Sequence, residues 1–144
     1  MPTVFSKAHW IGVPKSESTP GSEQMRSAFF RLQFKLAAPT DLSISISAHS
    51  RYRLWVNGMP VTYGPCKGDR WRHFFETVDI GPYLQVGENV LAVRVISFIP
   101  YESQHDQQRA PYWTMARAVG PCLIVSGQSA GLACQSTGQN GIDV

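Results

Sequence analysis

From Phe30 to Leu36 the side chains alternate strictly, with Phe30, Leu32, Phe34 and Leu36 on one beat and Arg31, Gln33 and Lys35 on the other. A period of two belongs to an extended strand with one face in a core and the other in water. A helix cannot use it, because its apolar positions recur every three or four residues. The same beat returns in Leu42, Ile44, Ile46 and Ala48, which alternate with serines, and again in Tyr52, Leu54 and Val56. Repetition of this pattern restricts the chain to sheets.

The third run ends at Asn57-Gly58, the dipeptide that accepts positive φ at both centres of a type I′ turn, so a hairpin tip is expected there. Val61 to Tyr63 begins the return strand. Pro60 has no N–H to give to a ladder, which places an irregularity at the start of that strand or puts it at a sheet edge. Further strands are expected at 74-FFETVDI-80, at 90-VLAVRVISFI-99 and at 122-CLIVS-126. Between them, 79-DIGPYLQVGEN-89 reads as a short connection with Asp79 capping its start and Gly87 closing it. The run 90–99 is apolar on both faces except at Arg94, as in a strand with neighbours on both sides. Six or seven short strands with turn residues between them and no amphipathic helix predict an all-β fold, an antiparallel β-sandwich.

At 144 residues the chain fits one domain with a core of its own. Its core is expected over about 8–126, with an exposed Ser/Pro/Glu-rich loop at 14–24, a long loop at 100–120 carrying Tyr101, Tyr112 and Trp113, and a polar C-terminal tail at 127–144. Thirteen basic against ten acidic residues leave a net charge of only +3. That balance speaks against a nucleic-acid partner, although Arg51, Arg53, Lys67, Arg70 and Arg72 lie close together in sequence. No apolar run is long enough to span a membrane, and the N-terminus MPTVFSKAHWIG has no apolar stretch that would act as a signal peptide. A soluble chain with no address of its own is expected. Three cysteines, Cys66, Cys122 and Cys134, form no CxxC pair and are expected as free thiols.

The succession 10-WI-11, 29-FFRLQFKL-36, 52-YRLWVNGMPVTYGP-65, 71-WRHFFETVDIGPYL-84 and 87-GENVLAVRV-95 resembles the accessory β-sandwich on the N-terminal side of bacterial α-L-rhamnosidases of glycoside hydrolase family 78. That module belongs to the galactose-binding-like jelly-roll group, and a related pattern opens the sugar-binding domains of glycoside hydrolase family 2. The resemblance implies a jelly roll attached to a glycoside hydrolase catalytic domain as its partner. In that family the catalytic carboxylates sit in a helical barrel, so none is carried onto this chain.

The residues agree with a non-catalytic reading. Glycoside hydrolysis needs two carboxyl groups flanking one bond, whereas the ten acids here are scattered, and Asp41, Asp79 and Glu88 suit turns and caps. There is no GxSxG elbow and no HExxH, and His9, His49, His73 and His105 lack ligand spacing. What remains is recognition of a carbohydrate, a terminal hexose or deoxyhexose within a rhamnose-containing glycan. An aromatic ring covers the C–H face of a sugar, and planar polar side chains match adjacent hydroxyls. Trp71 with its neighbours Asp69, Arg70 and His73 has that chemistry, and Tyr63 and Asn57 are candidates to line the same end of the sandwich. The resemblance also admits a calcium ion, but no run of Asp, Asn and Glu looks like a calcium loop, so no metal is expected. The alternative is a scaffold that docks on a catalytic barrel and binds no ligand itself, which would leave an apolar patch exposed on the isolated chain.

Overall fold

The structure, a computed structural model, describes residues 4–6, 8–13, 26–66, 74–97 and 121–129. The expected loops at 14–24 and 100–120, and most of the tail at 127–144, lie outside the described residues. The described residues hold eight strands: β1 (Ile11–Gly12), β2 (Arg26–Leu36), β3 (Leu42–Ala48), β4 (Arg51–Val56), β5 (Met59–Gly64), β6 (Glu76–Asp79), β7 (Gly87–Ser97) and β8 (Cys122–Ser129). A 3₁₀ turn, Gly81–Tyr83, sits between β6 and β7 with Pro82 in its first turn.

The strands form two four-stranded sheets, ordered β1-β8-β3-β6 and β2-β7-β4-β5, in which every pair is antiparallel. The pairing has a simple logic. β4 pairs with β5, β3 with β6, β2 with β7 and β1 with β8. The chain is thus one long hairpin, rolled up so that successive segments alternate between the sheets, and the contacts β3·β8 and β4·β7 close the roll. This is jelly-roll connectivity, the double-sheet solution to covering the strand faces of an all-β chain. The Asn57-Gly58 turn is the tip of the whole ribbon, with φ of 50° and 81° at its two centres, as a type I′ turn requires.

The core lies between the sheets and is made by the apolar beat of each strand: Phe30, Ile44, Ile46, Tyr52, Leu54, Val56, Leu91, Val93, Val95, Leu123 and Val125, with Ile80 beneath the 3₁₀ turn. The longest contact is between β2 and β7, which pair along all of Arg26–Leu36 and Gly87–Ser97. β5 is an edge strand and also carries a bulge opposite Leu54 and Trp55, so Pro60 is accommodated in both of the ways open to it. β7 is flanked on both sides, as its two apolar faces require.

Some boundaries differ from the sequence expectation. The strand expected at 74–80 is confined to 76–79, because β6 finds partners on β3 only from Ile46 to Ser43. The last strand runs past Ser126 to Ser129, since β3 offers it partners as far as Leu42, and these three residues belong to β8 instead of the tail. The serines of β3 are also less exposed than alternation suggests. Ser45 and Ser47 are buried, as are Ile124 and Ser126 beside them on β8. Their hydroxyls are satisfied internally, Ser45 with the Thr77 hydroxyl at 3.1 Å and Ser47 by donating to the Phe74 carbonyl at 2.6 Å. The outward side of β3 and β8 is therefore covered, while the outward side of β2-β7-β4-β5 is open.

Candidate functional site

The hairpin tip is tied down by a hydrogen-bond network centred on two asparagines. The Asn57 side-chain NH₂ donates to the Tyr83 carbonyl and to Asn89 Oδ1, both at 2.9 Å, while its oxygen accepts the Val90 N–H at 2.8 Å. The backbone N–H of Asn57 donates to the Val90 carbonyl. Asn89 is fully buried, and it also accepts the Gln85 N–H and donates to the carbonyls of Gln85 and Gly87. All four hydrogen-bonding positions of the Asn89 amide are filled, and three of the four on Asn57. The tip of the ribbon is so locked to the connection between β6 and β7. Asn57 acts here as turn former and clasp, with both donor hydrogens engaged inside the fold.

Tyr63 stands at the other end of β5 and is 81% exposed. Gly64 follows it, then Pro65 and Cys66, and from there the chain enters 67–73. Asp69, Arg70, Trp71 and His73, the remaining expected sugar contacts, lie outside the described residues. The residues on either side of them are firmly held. Glu76 accepts the Tyr52 hydroxyl at 2.8 Å with one oxygen and the Cys66 N–H at 2.6 Å with the other. The Arg51 guanidinium donates to the Pro65 carbonyl, and Ser47 holds Phe74. Burial, then the hydrogen bond to Glu76 and the charge of that carboxylate, hold the Tyr52 phenol well above its ordinary range. The segment carrying Trp71 thus leaves and rejoins the sandwich at anchored points.

The open face of β2-β7-β4-β5 sets Tyr63 beside residues that sequence reading did not single out as a site. Across the sheet, Phe29, Arg94, Arg53 and Tyr63 stand in one row, because Phe29 pairs with Arg94, Arg94 with Arg53 and Arg53 with Tyr63. The next row holds Arg31, Ala92, Trp55 and Pro60. Arg53 stacks over the Trp55 ring at 5.2 Å and Arg94 over Phe29 at 5.6 Å. One signal for this surface was available. Phe29 is an apolar residue on the polar beat of its strand, and it is 62% exposed.

Other groups carry less. Cys66 is an exposed free thiol, and Cys122 is a partly buried one whose pKa burial pushes up. Cys134 lies outside the described residues, as do His105, Trp113 and Lys67. Trp10 packs edge-on against His49. No group of three or more His, Cys, Asp or Glu side chains among the described residues could hold a metal ion. Among the described residues, no helix is long and apolar enough to cross a membrane.

No protein-family model matches the sequence, and no curated protein matches it significantly. Solved structures do. A GH78 family rhamnosidase of Bacillus sp. GL1 is 27% identical over 90% of this chain, with a TM-score of 0.66, and the match occupies 13% of that enzyme. The α-L-rhamnosidase of Dictyoglumus thermophilum matches 90% of the chain at 15% identity, with a TM-score of 0.63 and 15% of its own length covered. That of Aspergillus terreus matches 98% at 18% identity, with a TM-score of 0.62 and 16% of its length covered. The chain corresponds to about one seventh of each enzyme. The two latter likenesses establish the sandwich fold, and the first extends to the sequence.

Proposed function

We propose, from its likeness to one slice of the glycoside hydrolase family 78 rhamnosidases, that this chain is a non-catalytic accessory domain of such an enzyme that recognises carbohydrate. The observation that carries the reading is the match of nine tenths of the chain, at 27% identity, to 13% of the Bacillus enzyme. The ligand is a terminal hexose or deoxyhexose, met at the end of the sandwich where β5 passes into 67–73. Trp71 covers the C–H face of the sugar and its methyl group, while Asp69, Arg70 and His73 reach its hydroxyls and Tyr63 lines the rim. Support comes from the exposure of Tyr63 and from the anchoring of Cys66 and Phe74 on both sides of the segment. A recognition loop with pinned ends loses less freedom on binding.

The test is a titration of the purified chain with L-rhamnose, galactose and plant oligosaccharides, with and without calcium, followed by tryptophan fluorescence. A saturable change with one sugar class is expected, and Trp71→Ala is expected to abolish it while leaving the unfolding curve unchanged. A Trp71→Ala protein that still binds would remove Trp71 from the site, and a flat response to every sugar would remove the ligand.

A second reading, a scaffold that docks on a catalytic domain, is favoured by one observation. Val4, Phe74 and Phe75 are all exposed apolar side chains, and Phe5 packs edge-on against Phe75 with ring centres 5.2 Å apart. These residues join the N-terminal segment to the approach to β6. Such a patch suits a partner surface, and it is compatible with sugar recognition at the other side of 67–73.

A further inference from the structure

We infer that the open face of the β2-β7-β4-β5 sheet is a second carbohydrate surface, and that it takes a carboxylated glycan, a polymer bearing uronic acids. The inference rests on the carbohydrate-binding reading above but, Tyr63 apart, concerns other residues and another chemistry.

Three observations carry it. Arg53 and Arg94 are direct cross-strand partners, and both are exposed. Like charges set opposite each other on a sheet oppose its stability, so nothing in the folding of β4 against β7 calls for this pair. Arg31, in the next row, adds a third arginine whose backbone lies about 12 Å from that of Arg53, two strand spacings and one alternate step away. Second, these arginines are propped on rings instead of carboxylates. Arg53 lies over Trp55 and Arg94 over Phe29, and among the described residues none of the three has an ion-pair partner. The one carboxylate of the described strands on this face, Glu88, stands at its far end and is already paired with Lys35 at 2.8 Å. Third, two rings of this face, Phe29 and Tyr63, are exposed to solvent. Phe29 and Tyr63 mark the two ends of one row, about 14 Å apart across three strand spacings.

The ligand follows from this pattern. Exposed aromatic rings take the C–H faces of sugars, and guanidinium groups pair with carboxylates through two parallel N–H donors. A neutral glycan would leave three charges unanswered. A single-stranded nucleic acid also combines rings with negative charge, but such chains are held in a basic groove that follows the backbone. Here the surface is the open face of a sheet on a chain of net charge +3. An extended glycan strand with repeated carboxylates can lie across it, its sugars against Phe29 and Tyr63 and its acids at Arg31, Arg53 and Arg94.

The experiment is isothermal titration of the full chain with oligogalacturonides of defined length, with the same oligosaccharides after methyl esterification of their carboxyls, and with a single-stranded oligonucleotide. Binding to the acidic oligosaccharide is expected, weakened by added salt and largely lost on esterification, which keeps the rings and removes the charge. The double substitution Arg53→Gln and Arg94→Gln is expected to weaken binding by about tenfold or more, since each removes charge-assisted hydrogen bonds. Its unfolding transition should stay in place or rise, because the like-charge pair is gone. Trp71→Ala should leave this binding intact. Equal affinity for acid and ester, or equal affinity for the oligonucleotide, overturns the inference. So does a chain that binds only neutral sugars through Trp71, an outcome that leaves the proposed function standing. A chain that binds no sugar of either kind overturns both.

Discussion

Replacing Asn57 by glycine separates the two tasks that the residue performs at the tip of the ribbon. Glycine keeps the positive φ of 50° without strain, so the turn itself survives and only the amide is lost. That amide makes three hydrogen bonds, to Tyr83, to Asn89 and from Val90. At a net value of about 1 kcal/mol each, Asn57→Gly should cost about 3 kcal/mol. This is a large part of the 5–15 kcal/mol that holds a typical domain together. Asn57→Ala loses the same bonds and adds the left-handed backbone penalty of roughly 1–2 kcal/mol, for about 4–5 kcal/mol in total. Urea unfolding followed by tryptophan fluorescence measures both, and the midpoint should fall by about 1–3 M for glycine and further for alanine. A glycine variant within about 0.5 kcal/mol of the parent would mean that water replaces the amide at no loss, refuting the clasp. Equal costs for glycine and alanine would refute the backbone part.

Three further outcomes can be checked on the same protein. Gly64→Ala would place a Cβ 2.5 Å from Glu76 Oε2 and 2.9 Å from the Tyr52 ring, two groups that hold each other, and should cost roughly 1–3 kcal/mol in a thermal melt. Tyr52 gives a pH signature. Its folded-state pKa is raised, so its contribution to stability is complete below the ordinary tyrosine value of about 10 and is lost as the pH climbs above it, when the unfolded chain ionises first. Tyr52→Phe should flatten the fall in urea midpoint above pH 10, and an unchanged slope would place the effect elsewhere. Finally, iodoacetamide labelling mapped by peptide mass spectrometry should modify exposed Cys66 before Cys122, whose burial both covers the sulfur and raises its pKa.

The core was legible because the apolar beat of β2, β3 and β4 is strict, and β7 announced its central place by being apolar on both faces. The type I′ tip was legible from two residues. What local pattern could not supply was the partner of each strand. β8 continues through Gly127, Gln128 and Ser129, which have no strand-like composition, because β3 has backbone groups there to pair with. Phe74 and Phe75 look like strand residues and are not in one, because β3 gives β6 partners only as far as Glu76. The network of Asn57 was hidden for the same reason, since its partner Asn89 is 32 residues away in sequence and meets it only once the ribbon is rolled. The Arg53–Arg94 pair is also a product of register. Each arginine alone reads as an ordinary solvated residue, and the two become informative only when β4 and β7 set them side by side.

The rolled hairpin obliges every strand to show its alternate residues to the outside, yet the two sheets meet that obligation differently. On β3 and β8 the outward Ser45, Ser47, Ile124 and Ser126 are buried, with the serine hydroxyls of β3 satisfied against Thr77 and Phe74. On β2, β7, β4 and β5 they include the exposed side chains of Phe29, Arg31, Arg53, Tyr63 and Arg94. A face whose only task was to stay soluble would be best served by interspersed charges of both signs, and the Lys35–Glu88 pair at the end of this sheet is built in that way. Beyond the Gln33–Val90 row next to that end, the pattern changes to Arg31 beside Ala92 and then to Arg94 beside Arg53. Arg53 over Trp55 and Arg94 over Phe29 are held by rings instead of carboxylates. Folding gains little from that arrangement, and an anionic chain laid across the sheet gains both the rings and the charges, which is why the face is better explained by what it meets than by the sandwich beneath it.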